Sequence, residues 1–182
     1  MYAPTNLHTR RLLLRPFAPD DVDDVFSYAS DPEWSRFLNT PVPYTREDAE
    51  DFVEGSINCD WERHALFAIQ LDGGVVGGIG LRFDSPNAIA MLGYSIARAY
   101  WNRGLMTEAA EAVVDWGFNE FGLAKIWSFA DVDNVGSWRV MEKIGMTREG
   151  TLRSHEVLQG VPRDLHYYGI LRSEWESLRA MV

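Results

Sequence analysis

Residues 99–118 read AYWNRGLMTEAAEAVVDWGF, an alanine-rich helical stretch entered through a lone glycine beside Asn102 and Arg103. A helix start that needs only a cap uses Ser, Thr, Asp or Asn. Gly104 instead marks a place where something approaches the backbone closely. The preceding LGYSIARAYW reads as a strand, so the chain leaves a strand and enters a helix through Asn102, Arg103, Gly104, Leu105 and Met106. The first four N–H groups of such a helix have no internal partner and, with the helix dipole, favour an anion. Arg103 adds positive charge at the entrance. The implied ligand is a phosphate or pyrophosphate, although many strand-to-helix turns contain one glycine.

Outward from this turn the pattern alternates between the two periodicities. RLLLRPF reads as an opening strand, and Val22, Val25, Phe26 and Ala29 share a helical face. SDPEWSRFL reads as a turn into a short helix. Thr45 and Asp48, at near-capping-box spacing, open another helix. ALFAIQL and VVGGIGLRF flank the hairpin signal Asp72-Gly73-Gly74, and IAMLGYSIA is a third central strand. Then come a helix from Thr107 to Phe121, the strand KIWSFAD, a helix VGSWRVMEKI stopped by Gly145, the strands TREGTLR and LHYYGIL, and a last helix from Ser173-Glu174. This order predicts an α/β (α+β) fold: a mixed sheet with helices on both faces.

The 182 residues suffice for one sizeable core, and no repeat or linker interrupts them, so a single domain over 1–182 is expected. No apolar run nears the roughly 20 residues of a membrane span. The opening MYAPTNLHTRRLLLRPF lacks the apolar region and cleavage site of a signal peptide. A single cysteine, Cys59, excludes an internal disulfide framework and fits a reducing cytoplasm. The formal charge of −10, with Lys125 and Lys143 the only lysines, argues against sequence-independent nucleic-acid binding. The same field attracts a cationic substrate, or simply keeps the protein soluble. His8, His64, His155 and His166 are scattered without ligand spacing, so no metal is expected.

The 99–118 stretch resembles the acyl-CoA pyrophosphate loop of the GNAT acetyltransferase superfamily, Gln/Arg-x-x-Gly-x-Gly/Ala. More narrowly, YWNRGLMTEA is similar to the YWGKGYATEA form of the RimJ/RimL branch. Trp101 stands at the Gln/Arg position and Met106 at the final small residue, so the Met106 side chain must turn away from the pyrophosphate. NVGSWRVMEKIGM resembles the family's second motif, the helix lining the pantetheine arm. The opening strand, the hairpin and EGTLR…YYGILRSEW also resemble this branch, so the likeness covers nearly the whole chain.

The resemblance implies a central mixed, mostly antiparallel, splayed sheet and acetyl transfer from acetyl-CoA to a primary amine by direct attack, most naturally an N-terminal α-amine of a protein or peptide. A polyamine, amino-acid conjugate or antibiotic, or a non-catalytic acyl-CoA-binding module, are the alternatives. A homodimer is compatible with the branch. Asn102, Arg103, Gly104, Leu105, Met106 and Thr107 would hold the pyrophosphate. The backbone of Tyr94, Ser95 and Ile96 would hold the pantetheine, with Asn134 beside it.

Acetyl transfer needs a neutral nitrogen, an oxyanion donor and a proton for the thiolate. An α-amine, with a pKa of about 8, is already about one-tenth neutral at pH 7, whereas a lysine-like amine costs roughly 3.5 kcal/mol more to deprotonate. The family's usual tyrosine acid corresponds to Met141 here, which has no proton to give, so Ser137 is the implied acid. Relatives often carry a glutamate where Met91 stands, so the base is not assigned. Glu33, Glu62, His155 and Glu156 are the candidates near the acceptor, with Trp34 and Trp61 in segments that either line its cleft or fill the core.

Overall fold

Antiparallel ribbons on either side of one strand–helix–strand crossover build the sheet. The computed structural model describes residues 5–180, so the ends of the domain expected over 1–182 lie outside the described residues. Strands β1 (Leu7–His8), β2 (Leu13–Arg15), β3 (His64–Leu71), β4 (Gly74–Asp84) and β5 (Ile89–Ile96) pair antiparallel in succession. β5 then runs parallel to β6 (Lys125–Asp131). β6 pairs antiparallel with β8 (Val161–Leu171), and β7 (Thr147–Leu158) closes the edge. The order is β1-β2-β3-β4-β5-β6-β8-β7, the mixed sheet that the sequence pattern predicts, mostly antiparallel as the resemblance implies.

Helices cover both faces. α1 (Val22–Ala29), α2 (Pro32–Ser35) and α3 (Arg46–Ile57) lie on one side, where Val25, Ala29, Ala49 and Val53 pack with Ala68 and Val75 of the sheet. On the other side are α4 (Leu105–Glu120), α5 (Val135–Lys143) and α6 (Arg172–Arg179). There α4 buries Leu105, Met106, Ala109, Ala110, Val113, Val114 and Phe118, the three-and-four spacing of one helix face. These side chains meet Phe67, Ile69, Ile79, Leu81 and Leu92, the inward row of β3 to β5.

The local signals behave as their chemistry requires. Thr45 and Asp48 form a true capping box: the Asp48 amide donates to Thr45 Oγ1 at 3.2 Å and the Thr45 amide to Asp48 Oδ2 at 2.7 Å. Asp72 and Gly73, both at positive φ, make the two-residue turn between β3 and β4. α4 starts at Leu105, two residues before the expected Thr107, because Gly104 adopts a left-handed φ of +73° that turns the chain into the helix at once. The last hairpin is longer than the expected 147–153 and 165–171. Gln159 and Gly160, at φ +50° and +78°, close a tight turn directly between β7 and β8.

The pairing of β5 with β6 stops early, and this positions the site. Only Ile89, Ala90 and Met91 are in register with Lys125, Ile126 and Trp127. β5 continues to Ile96 and β6 to Asp131, so the two strands part and leave a gap in the middle of the sheet. Among the described residues, no helix is long and apolar enough to cross a membrane.

Candidate active site

The gap is lined by one edge of β5. Ala97 N–H donates to Val76 O at 2.7 Å, which turns odd-numbered residues of this strand toward β4. Even-numbered residues therefore face the gap. Two of their carbonyls are occupied: Leu92 O accepts from Ser128 Oγ at 2.7 Å and Ile96 O from Trp101 Nε1 at 2.8 Å. Between them, the Tyr94 N–H and C=O and the Ile96 N–H have no ladder partner on β6. Ser95 differs from its neighbours, its backbone turned to Gly78 across the β4–β5 pair.

At the far end of this edge lies the strand-to-helix turn. Asn102 has φ +58° and Gly104 +73°, and Gly104 caps α4 without any side-chain hydrogen bond. The first helical bond runs from Glu108 N to Gly104 O at 3.1 Å, so the amides of Leu105, Met106 and Thr107 have no acceptor within the helix. Asn102, Arg103 and Gly104 are exposed, whereas the Leu105 and Met106 side chains are buried in the core. Met106 therefore turns away from the amides, as its size requires. Three free amides at a helix N-terminus, with the Arg103 guanidinium near the Tyr100 ring, can receive an anion.

Arg11 completes this turn, and the sequence reading missed it. Its Nε donates to Glu108 Oε2 at 2.6 Å and its Nη1 to Arg103 O at 3.0 Å. Thr9 Oγ1 and the Arg11 amide both donate to Glu108 Oε1 at 2.7 Å. Burial pushes the Glu108 carboxyl up, but these hydrogen bonds and the Arg11 charge outweigh it and hold the carboxyl below the usual range.

Across the gap stands Ser137, in the first turn of α5. Asn134 caps that helix, its Oδ1 accepting from Ser137 N at 3.3 Å. Ser137 Oγ donates to Tyr94 Oη at 3.2 Å, and Tyr94 Oη donates to Ser137 O at 2.9 Å. Burial pushes the Tyr94 phenol well above its ordinary value, against the Ser137 bond, so it is protonated at neutral pH. Met141 is fully buried in the core.

On the α1–α3 side, a cavity of about 260 Å³ opens beside β5. Gly78, Gly80 and Gly93 belong to its floor, and Tyr28, Trp34, Tyr44 and Phe52 to its aromatic walls. At Gly80 a Cβ would lie 2.4 Å from Ala65 O, so only glycine fits this part of the floor. Trp34 Nε1 and Thr40 Oγ1, both from lining residues, are buried polar atoms without a hydrogen-bond partner. His64 and Arg82, opposite each other in register, also line the cavity. A more open hollow of about 440 Å³ beside α6 lies away from the strand gap.

Of the acceptor residues expected from sequence, the structure brings only Trp34 to this cavity. Glu33 is exposed and 3.8 Å from Arg36, and Glu62 is exposed beyond the lining. His155 and Glu156 lie within β7, not in a loop. His155 packs edge-on against Tyr167, and Glu156 is in register with Arg163. Trp61 is a core residue, edge-on to Phe67 and Trp116.

This geometry coincides with clear kinship. The sequence profile of the family described as Acetyltransferase (GNAT) domain matches residues 11–147. The N-acetyltransferase YnaD of Bacillus subtilis, whose name marks it as uncharacterized, is 32% identical over 170 residues, covering 93% of this chain and 99% of its own. YdaF of the same strain, provisionally named a ribosomal N-acetyltransferase, is 30% identical and covers 80% of each chain. The crystal structure of a GNAT-family acetyltransferase from Bacillus anthracis superposes with a TM-score of 0.85 at 30% identity, covering 93% of this chain and 99% of that one. With its parted strands and its profile match in agreement, the chain belongs to the GNAT family of acetyltransferases.

Proposed function

We propose that the protein is an acetyl-CoA-dependent N-acetyltransferase, one domain acting on an α-amine at a protein or peptide N-terminus by direct attack in a ternary complex. One observation carries the donor reading: an anion-receptive turn, an unladdered strand edge and a hydroxyl lie along one gap. A diphosphate fits the amides of residues 105–107. An extended amide-bearing arm fits the edge at Tyr94 and Ile96. A thioester fits beside Ser137, whose neighbour Tyr94 is a protonated phenol.

In this reading Asn102, Arg103, Gly104, Leu105, Met106 and Thr107 hold the diphosphate. Tyr94, Ser95, Ile96 and Asn134 flank the arm. The Tyr94 N–H polarises the thioester carbonyl as the oxyanion forms, and Ser137 supplies the departing thiolate with a proton.

The acceptor reading rests on the cavity. Among the described residues no Asp or Glu lines it, and Arg82 does. Such a pocket disfavours a polycation and offers no carboxylate base, which suits the amine that is easiest to deprotonate. Trp34 Nε1 and Thr40 Oγ1 match the polar groups of a peptide unit. The free Cys59 fits a cytoplasmic setting.

A thiol-release assay with acetyl-CoA and an amine panel tests this. Peptides beginning with Ala or Ser are expected to turn over well above polyamines. Turnover of alkyl amines alone would assign a small-molecule acceptor. Tight CoA binding with no turnover on any amine would leave a binding module.

A further inference from the structure

We propose that His64 is the general base that deprotonates the acceptor, directly or through water held in the cavity. The inference rests on the transferase reading above and deepens it.

The cavity itself makes the selection. Its titratable lining residues are Tyr28, Tyr44, His64, Arg82 and Tyr94. Burial raises Tyr28, with further increments from Tyr44, Asp21 and Asp24; burial also raises Tyr44, to about 12, with Asp48 adding to it. Tyr94 is raised as well, so all three phenols keep their protons at neutral pH. A guanidinium is always charged and has no lone pair to offer. The imidazole of His64 is left as the one cavity group able to accept a proton near pH 7. Burial, and then the charge of Arg82, hold its pKa below the ordinary histidine value, so it is neutral when the ammonium arrives.

Register places this group toward the acceptor. His64 pairs with Arg82, and Arg82 with Met91, so the three residues form one row across β3, β4 and β5. The next row along is Leu66, Gly80 and Gly93, and the floor is open at Gly93, where a Cβ would meet no atom within 4 Å. His64 thus borders the space beside the strand that carries the gap. Arg82 of β4 is the charged group that acts on it, and Tyr28 of α1, Tyr44 ahead of α3 and Tyr94 of β5 line the same cavity, with the Tyr94 hydroxyl turned to Ser137. Glu62 and Arg63 precede it in the chain.

The step balances as follows. The neutral imidazole takes one proton from R–NH3+, giving R–NH2 and an imidazolium. The nitrogen lone pair forms the N–C bond to the thioester carbonyl carbon, and the C–S bond breaks as the tetrahedral adduct collapses. The second nitrogen proton goes to the cavity water, and the thiolate takes its proton from the Ser137 hydroxyl, which is reprotonated from solvent. The imidazolium then releases its proton to solvent, so one proton is liberated per amide formed.

The test is the pH dependence of kcat for wild type, His64→Gln, His64→Ala and Arg82→Ala, with melting curves and acetyl-CoA affinity confirming that each variant is folded. Wild type is expected to lose kcat on an acidic limb below about pH 6.5. His64→Gln is expected to lose about 100-fold in kcat together with that limb. Added imidazole should restore part of the rate to His64→Ala, and Arg82→Ala should move the limb upward. A His64→Gln enzyme that keeps both rate and limb would overturn the base assignment while the transferase reading stands. Absence of wild-type turnover with every amine would overturn both.

Discussion

Tyr94 and Ser137 are tied by a reciprocal pair of hydrogen bonds across the parted strands, the phenol donating to Ser137 O at 2.9 Å and receiving Ser137 Oγ at 3.2 Å. One residue comes from β5 and the other from the first turn of α5. The pair fixes how far apart the two walls of the gap stand at its midpoint. It also sets the Ser137 hydroxyl beside a phenol that keeps its proton.

Ser137→Ala removes the hydroxyl and leaves the helix cap intact, because Asn134 binds the Ser137 amide rather than its side chain. Proton transfer to a leaving group contributes about 100-fold or more. The variant is expected to lose about that much in kcat while acetyl-CoA affinity, read by calorimetry, stays unchanged. Equal kcat in variant and wild type, with chemistry limiting the rate, would remove Ser137 from the reaction.

Gly104 separates two effects of one position. Gly104→Val forces a β-branched residue to φ +73° and sets a side chain in the anion's space, so both stability and CoA affinity should fall. Gly104→Asn tolerates the left-handed backbone far better. It should melt near wild type and still bind CoA more weakly. Undiminished affinity in both variants would displace the diphosphate from this turn.

Gly93 faces open space: a Cβ there would meet no atom within 4 Å. Gly93→Leu is therefore expected to fold normally while its side chain occupies the cavity beside the strand gap. Steady-state kinetics should show KM for the amine raised at least tenfold, with acetyl-CoA affinity much less affected. An unchanged amine KM would move the acceptor elsewhere.

Glu108 is expected to contribute a pH-dependent share of the stability. Its folded pKa lies below the ordinary glutamate value of about 4.3, so its contribution is fully present above that pH and is lost as pH falls through the lower, folded value. Glu108→Gln should cost roughly 1–2 kcal/mol at neutral pH in urea denaturation. The difference from wild type should shrink on acidification below about pH 4. A constant difference down to pH 2 would show that the carboxylate charge is not what stabilises the turn.

The order of elements was legible because periodicity and turn chemistry agreed along most of the chain. Asp72-Gly73, Thr45–Asp48 and the apolar face of α4 each carry a local signal that tertiary contacts reinforce. The left-handed glycine turn before α4 was legible for the same reason. The cavity was not. Counting outward from the Asp72-Gly73 turn, where Leu71 meets Gly74 and Gln70 meets Val75, sets His64 opposite Leu81. A bulge between Ile69 and Gln70 shifts the register so that His64 meets Arg82. A one-residue slip changes which side chains share a face, and Gly77-Gly78 beside the bulge is compatible with a bulge without fixing its position. Arg11 escaped notice for a simpler reason: its partners lie 92 and 97 positions away. β7 runs beyond the expected Arg153 because Ser154, a residue type common in turns, sits at φ +48° within a register shift between Leu152 and Glu156, and the strand continues past it.

The grip of Arg11 on Arg103 and Glu108 limits what can be transplanted from this protein. The glycine turn is braced by a residue of the β1–β2 ribbon 92 and 97 positions away from its partners, so residues 99–118 moved alone into a foreign scaffold would arrive without their brace. A working graft would have to carry Thr9 and Arg11 along with the turn.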